Sequence, residues 1–497
     1  MSTSSHNYLA VDLGASGGRV VAGMLSDRLT LTEIHRFSNG ATNFAGQLQW
    51  NILGLWSQLQ DGLRAAAGQL GSANIVSMGV DTWGVDFGLL DRDDRLLGNP
   101  VCYRDARTRG MMDVAFAKVP RAEIFAQTGL QFMELNSLYQ LLAMSQAKAA
   151  MLENARSLLL MPDLFHWLLT GEKSNEFTNA TTTQFFNPTK KRWATELLDK
   201  LGIPTSFLGN IVPPGTNLGP LRRDLAEEVG LASTDVVLPG THDTASAVMA
   251  VPAIGPCLPN PNWCYLSSGT WSLMGVEVPE PVTSDTCASL NFTNEGGVGG
   301  SIRLLKNIAG LWLIQECRRV WKQNGREFSW DELVRLAESA PALQSLINPD
   351  DPRFGAPSDM PATIRQFCSE NGEPTPDSEG AVIRCALESL ALRYRQTVLS
   401  LEKLTDSRID TIHIVGGGTQ NKLLSQMTAD ACNRRVVAGP VEATAIGNIM
   451  MQAVAHGDVA GIEEARQVVA RSFPVEEFCP KNTAPWDDAF QRFQKWM

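Results

Sequence analysis

Chemistry-bearing side chains stand beside small residues at a few places in this chain. The first is Val11–Val20, V-D-L-G-A-S-G-G-R-V. Gly14, Gly17 and Gly18 make a tight turn between two apolar runs, and backbone N–H groups without a Cβ in the way can approach a bulky anion. Asp12 ends the first run, where a carboxylate can hold a hydrated Mg2+ beside that anion. Arg19 is placed to neutralise phosphate oxygens. The same pattern also describes an ordinary Gly-rich hairpin with a surface Asp, and the motif alone leaves both readings open.

The second place is Asp81–Asp91, D-T-W-G-V-D-F-G-L-L-D. Its D-T-W-G-V-D-F turn offers an indole, the carboxylates of Asp81 and Asp86 and the close-approach Gly84, which suit a sugar, with an apolar wall and acceptors for hydroxyls. The alternative is a hairpin with Trp83 in the core. Tyr103–Arg107, Y-R-D-A-R, is either a polar clamp for a neutral polyol or an Asp105 N-cap with a solvated first turn. The third place is Pro239–Ala247, P-G-T-H-D-T-A-S-A, where His242, Asp243 and Thr244 open a run of small helix formers. Asp243 is then either a helix cap or a general base at the mouth of a cleft.

In the second half, W-C-Y-L-S-S-G-T-W-S-L-M-G-V-E from Trp263 repeats the opening pattern: an apolar strand, a small-residue turn and a second strand. The repetition predicts a duplicated fold with one phosphate-facing hairpin in each half. Thr411–Gln420, T-I-H-I-V-G-G-G-T-Q, brings a buried strand to three glycines ahead of a helix, the place where α/β proteins hold nucleotides. The spacing is not G-x-G-x-x-G, and no G-x-x-x-x-G-K-[ST] occurs, which excludes a P-loop. Ala443, Ala445 and Gly447 would let the following helix pack closely.

Strands are predicted at Tyr8–Asp12, Arg19–Leu25, Leu29–Phe37, Ile75–Val80 and Val236–Leu238, and they alternate with helices, so the class is α/β. Helices are predicted at about 51–68, 158–170, 307–323 (carrying Gln315 two turns in), 379–404 and 464–497. His166 and Trp167 read as core residues. The chain has 497 residues, 44% hydrophobic and 19% charged, which suits two large or three ordinary domains. Its formal net charge of -11 argues against a nucleic-acid or anionic-membrane binder. No signal-peptide pattern opens the chain and no apolar run reaches membrane-spanning length. Nine cysteines without a C-x-x-C pair read as reduced, cytoplasmic thiols, although Cys368 and Cys385 flank a Pro/Gly-rich stretch and could approach each other.

Taken together the segments resemble the FGGY sugar kinases of the actin-like ATPase superfamily. The resemblance runs from about residue 8 to 475. It is carried by V-D-L-G-A-S-G-G-R at Val11, D-T-W-G-V-D-F at Asp81, M-P-D at Met161 and T-N-A-T-T-T-Q at Thr178. It continues through H-D-T-A-S-A-V at His242, Y-L-S-S-G-T-W-S-L-M-G at Tyr265, N-E-G-G at Asn294, L-K-N-I-x-G-L-W at Leu305, H-I-V-G-G-G-x-Q-N at His413 and A-G-P-V-E-A at Ala438. The family's W-x-D-x-R is replaced by Tyr103–Arg107, which argues against xylulose or glycerol.

The resemblance implies two actin-like (ribonuclease H-like) ATPase domains with a cleft between them, at 7–248 and 260–457, followed by a helical tail at 458–497. It implies ATP contacts from Ala15, Ser16, Gly17, Gly18, Arg19, Thr270, Gln315 and Gly417. Gly84, His242, Asp243, Thr244 and Asn307 would hold a ketose, Asp243 would be the general base, and Asp12 would hold Mg2+ through water. The implied reaction is ATP plus L-rhamnulose giving L-rhamnulose 1-phosphate and ADP, in a cytoplasmic monomer or homodimer. L-fuculose or L-xylulose as the ketose, or a non-catalytic sugar-binding regulator on the same fold, are the alternatives.

Overall fold

The computed structural model describes residues 6–231, 234–253, 261–355 and 357–496. Residue 260, expected to begin the second domain, lies outside the described residues. The chain forms two compact units. The first is Met1–Gly255 with Val278–Leu304 and Glu442–Phe473; the second is Pro256–Glu277 with Leu305–Val441 and Pro474–Met497. The stretch expected as a tail thus divides between the units after Phe473.

The first unit is built on a six-stranded sheet. Strand His6–Leu13 is central because Tyr8–Val11 is apolar on both faces and wholly buried. It pairs antiparallel with Gly17–Leu25, which pairs antiparallel with Leu29–Ser38. On its other side it pairs parallel with Ile75–Thr82, then come Asp235–Val237, parallel, and Asn217–Pro220, antiparallel. Helix Ile52–Leu70 starts at Asn51, whose side chain caps Gly54 N–H at 3.0 Å, and its buried face of Ile52, Leu55, Leu59 and Leu63 packs into this core.

The second unit repeats the plan. Its strands run in the order Ile302–Ala309 (of which Ile302–Leu304 is counted with the first unit), Trp271–Val278, Trp263–Ser268, Thr411–Val415, Arg435–Ala438, Glu476–Phe478. Trp263–Ser268 pairs antiparallel with Trp271–Val278 and parallel with Thr411–Val415, and Arg435–Ala438 follows parallel. Glu476–Phe478 closes the edge antiparallel. Each unit therefore has an antiparallel hairpin, a further strand beside it, two parallel crossover strands and an antiparallel edge, as the repeated strand–turn–strand openings predict.

Helix Ala443–His456 packs within the first unit against Asp243–Met249. A Cβ on Gly447 would lie 1.8 Å from Ser246 O, so only glycine permits this crossing. A buried polar ladder registers the helix on the sheet. Gln452 Nε2–H donates to Leu9 O at 2.9 Å, and Asn448 Nδ2–H donates to Asp81 Oδ2 at 2.6 Å.

Several element assignments differ from the sequence reading. Residues 302–309 are a strand, and the helix is Trp312–Gln323, so Gln315 sits in its first turn. The stretch 158–170 divides into strand Ser157–Leu160 and helix Met161–Thr170. The C-terminal stretch is two helices, Ile462–Ser472 and Ala484–Phe493, with the edge strand between them. His166 is a core residue as expected: it is fully buried, its Nε2 accepts from Val80 N–H at 3.1 Å, and burial depresses its pKa to about 3. Among the described residues eight cysteines are free thiols. Cys368 and Cys385 are buried neighbours without a disulfide, and the Cys368 contact together with burial holds the Cys385 thiol well above its usual range. No helix among the described residues is long and apolar enough to cross a membrane.

Candidate active site

In the first unit Asp12 stands next to last on its strand, in register with Arg19 on one side and Asp81 on the other. Both Nε–H and Nη2–H of Arg19 donate to Asp12 Oδ2, at 3.0 and 2.8 Å, and Nη1 pairs with Glu442. Burial opposes the guanidinium charge, but Asp12 and Glu442 outweigh it and raise the Arg19 pKa. The arginine expected to meet phosphate is thus already tied to two carboxylates. Ala15 and Ser16 form the open tip of the turn, which Gly14 N–H closes on Gly17 O at 2.8 Å. Gly18 has a packing reason of its own: a Cβ there would lie 2.4 Å from the Phe37 ring.

Asp81, one of the two carboxylates of the D-T-W-G-V-D-F turn, is the strand partner of Asp12. It is completely buried, and its Oδ1 has no hydrogen-bond partner. Burial and the nearby Asp12 push its pKa well above the ordinary carboxylate range, with Asp243 adding to the effect. Asp12, Asp81 and Asp243 therefore share one field of negative charge. Among the described residues, no three His, Cys, Asp or Glu side chains converge closely enough to ligate a metal ion directly. The free oxygen of Asp81 and the concentrated charge fit a hydrated divalent cation rather than a stripped one.

The turn after Ile75–Thr82 carries Gly84. A Cβ on Gly84 would press on Thr182 Oγ1 at 3.0 Å, and Val85 N–H donates to the same hydroxyl at 3.1 Å. Val85 adopts φ +68°, a strained conformation for a β-branched residue and a common mark of functional turns. Asp86 anchors the turn from beneath. It is fully buried and accepts from Trp50 Nε1 at 2.7 Å, Trp83 Nε1 at 3.0 Å, Gln140 Nε2 at 3.0 Å and Tyr103 N at 3.2 Å. The Trp50 and Trp83 rings lie 4.2 Å apart, and Trp83 is buried. In Tyr103–Arg107, Asp105 caps Arg107 N at 2.9 Å, as the capping alternative expects, and Arg107 Nη2–H donates to Gln140 Oε1 at 2.7 Å.

Burial raises the Asp86 pKa from 3.8 to about 6 despite its four donors. Between those values the folded chain holds the proton and the unfolded chain does not. The group's contribution to stability is therefore complete below the unfolded pKa and is lost as pH rises through about 6. A tryptophan fluorescence titration is expected to show a midpoint near pH 6 from Trp50 and Trp83, and Asp86→Asn is expected to abolish it. Persistence of the transition in that variant would assign it to another group.

The turn before Asp243 is held by Glu176, a buried carboxylate absent from the sequence reading. Glu176 Oε2 accepts from Thr241 N at 3.1 Å, Thr241 Oγ1 at 2.6 Å and Thr178 Oγ1 at 2.5 Å. His242 N–H in turn donates to Thr178 Oγ1 at 3.1 Å. His242 takes the N-cap position of helix Asp243–Met249, so Asp243 is not the cap residue. The Asp243 side chain is 34% exposed, and its Oδ1 accepts from the Thr244 hydroxyl at 3.0 Å. Burial raises its pKa, His242 works against that shift, and Asp12 adds to it.

The second unit brings Thr270 and Gln315 together, with 3.2 Å between Oγ1 and Oε1. Helix Trp312–Gln323 is docked on the turn through Leu311 N to Gly269 O at 3.0 Å and Trp312 N to Thr270 O at 3.1 Å. The three glycines have distinct reasons. Gly416 has φ +87°, a Cβ on Gly418 would overlap Ser268 Oγ at 2.0 Å, and Gly417 is exposed over open space. Since Ser267 and Val415 are parallel partners, both turns leave the same end of the sheet. Asn307 stands half-buried on strand Ile302–Ala309 of this unit, while Gly84, His242, Asp243 and Thr244 stand in the first.

Two anion-suited turns on duplicated sheets, with the partly exposed carboxylate of Asp243 in the first unit, define the class. Residues 7–250 match the N-terminal domain of the FGGY family of carbohydrate kinases, and residues 264–456 match its C-terminal domain. The chain belongs to this family and is a carbohydrate kinase. It is 44% identical over 489 residues to the rhamnulokinase of Bacteroides thetaiotaomicron, covering 98% of this chain and 99% of that one. It is 41% identical over 473 residues to the rhamnulokinase of Halalkalibacterium halodurans, covering 95% and 98%. The crystal structure of gluconate kinase from Lactobacillus acidophilus superposes with a TM-score of 0.80 at 17% identity, covering 99% of this chain and 98% of that one, and it shares the two-domain actin-like fold.

Proposed function

We propose that this kinase transfers the γ-phosphoryl group of ATP to the C1 hydroxyl of L-rhamnulose, giving L-rhamnulose 1-phosphate and ADP in rhamnose breakdown. The observation that carries the mechanism is the placement of Asp243: partly exposed, with a raised pKa, and steadied by Thr244 and His242. Asp243 accepts the hydroxyl proton as the oxygen bonds to phosphorus and the bond from phosphorus to the ADP oxygen breaks. Gly84, His242, Thr244 and Asn307 bind the ketose. The amides of Ala15–Gly18, with Thr270, Gln315 and Gly417, bind ATP. Arg19 acts mainly by fixing Asp12, because each of its three guanidinium nitrogens is already paired with a carboxylate.

The residues placed to hold a hydrated Mg2+ are Asp12 and Asp81, and when bound the ion supplies charge neutralisation for the phosphates. The substrate follows from the relatives' names and from the loss of W-x-D-x-R at Tyr103–Arg107.

A coupled ADP-release assay over a ketose panel tests the reading. L-rhamnulose is expected to give the highest kcat/KM. A higher value for L-fuculose or L-xylulose would reassign the substrate within the family, and no ketose-dependent ADP release would reject a catalytic role.

A further inference from the structure

Behind His242, within the first unit, lies a buried charged pair that the proposed chemistry does not use. Glu295 ends toward the imidazole from strand Thr293–Gly296, and Arg303 comes from Ile302–Ala309. The Arg303 side chain is 0% exposed and that of Glu295 is 6% exposed. Arg303 Nε–H donates to Gly296 O at 2.8 Å, which fixes the plane of the guanidinium. Its Nη2 lies 3.1 Å from His242 Nδ1 and 3.2 Å from Glu295 Oε2, while Nδ1 and Oε2 are 3.3 Å apart. On the other side of the ring, His242 Nε2 is 3.5 Å from Asp243 Oδ1.

Arginine can only donate. The two hydrogens of Nη2 serve Nδ1 and Oε2 together only if Nδ1 is unprotonated. A proton on Nδ1 would set donor against donor in the 3.1 Å contact with Nη2. The imidazole proton then belongs on Nε2, facing Asp243. Glu295 neutralises the guanidinium, which would be costly to bury alone.

We infer that Arg303 and Glu295 are positioning residues: they hold His242 as the neutral Nε2–H tautomer, so that the ring orients the Asp243 carboxylate by donating to it. This inference rests on the reading of Asp243 as the base. It makes the two partners act in opposite directions. Without the arginine, Glu295 draws the ring proton to Nδ1 and turns the Nε2 lone pair toward the Asp243 carboxylate, which disfavours its charge. Without the glutamate charge, Arg303 is unopposed and favours the Asp243 charge. The other charged groups that reach Asp243 are Asp12 and Asp81 from the central strands, and neither variant touches them; Glu176 is engaged by Thr178 and Thr241.

The test is a pair of variants in the full chain with a spectroscopic check on the unmodified protein. Arg303→Met is expected to lower kcat about 10- to 100-fold with KM for ATP unchanged, as misorientation of a reacting group does. It is expected to move the acidic limb of kcat/KM to higher pH, and Glu295→Gln to move it to lower pH. In the unmodified protein, nitrogen-15 NMR of the imidazoles, assigned with His242→Asn, is expected to show His242 Nδ1 as an acceptor and Nε2 protonated. Limbs that stay put or move together, or a protonated Nδ1 on a neutral ring, would overturn the inference. If Arg303→Met does not fold, Glu295→Gln and the nitrogen spectrum decide it. Asp243→Asn measured alongside separates the two readings. If that variant stays active, the base assignment itself falls. If it is inactive while both other variants behave as wild type, only the tautomer inference falls.

Discussion

Asp243→Asn is expected to lose about 10²- to 10⁴-fold in kcat while its KM for the ketose stays within a few-fold. The substitution keeps the shape of the side chain and its contact with Thr244, so binding geometry survives. It removes the one group in the turn that can take a proton from an attacking hydroxyl. The raised pKa of Asp243 strengthens it as a base, and its 34% exposure leaves room for a substrate oxygen. Steady-state kinetics with an enzyme-coupled ADP readout check this. A variant with near-normal kcat would show that the carboxylate is not the base.

Gly447→Val is expected to destabilise the first unit by about 1–3 kcal/mol or more, through overpacking that side-chain motion cannot relieve. The group a Cβ would strike is a backbone carbonyl, Ser246 O, at 1.8 Å, so relief requires the two helices to separate. Separation would in turn stretch the buried bonds of Asn448 to Asp81 and of Gln452 to Leu9. Because Asp81 lies beside Asp12, activity should fall along with stability. Urea unfolding followed by circular dichroism measures the effect, and an unchanged midpoint would mean that the crossing is looser than described.

What was legible in the chain was what is local. Both hairpin turns, the three-glycine turn and the small-residue face at Ala443–Gly447 announce themselves by strings of adjacent residues, and each is found where those strings place it. The duplication was legible for the same reason, since each half opens with an apolar strand, a small turn and a second strand. Strand Ile302–Ala309 was not legible. It is buried on both faces, so it lacks the alternation that separates a strand from a helix, and its run continues straight into a true helix at Trp312. The supports of the site were hidden because they act over distance. Asp86 gathers donors from residues 50, 83, 103 and 140, and Glu176 reaches Thr241 from 65 positions away. Arg19 looked like a free cation because nothing near it in the chain reveals Glu442.

The most direct test of the account is the identity of the product. L-rhamnulose has one primary hydroxyl, at C1, because C6 is a methyl group. Phosphorus-31 NMR of a mixture of the enzyme, ATP, Mg2+ and L-rhamnulose is predicted to show ADP and one new phosphomonoester coupled to the two protons of a CH2 group. Inorganic phosphate with no ester, or an ester coupled to a single proton, would contradict transfer to the C1 oxygen.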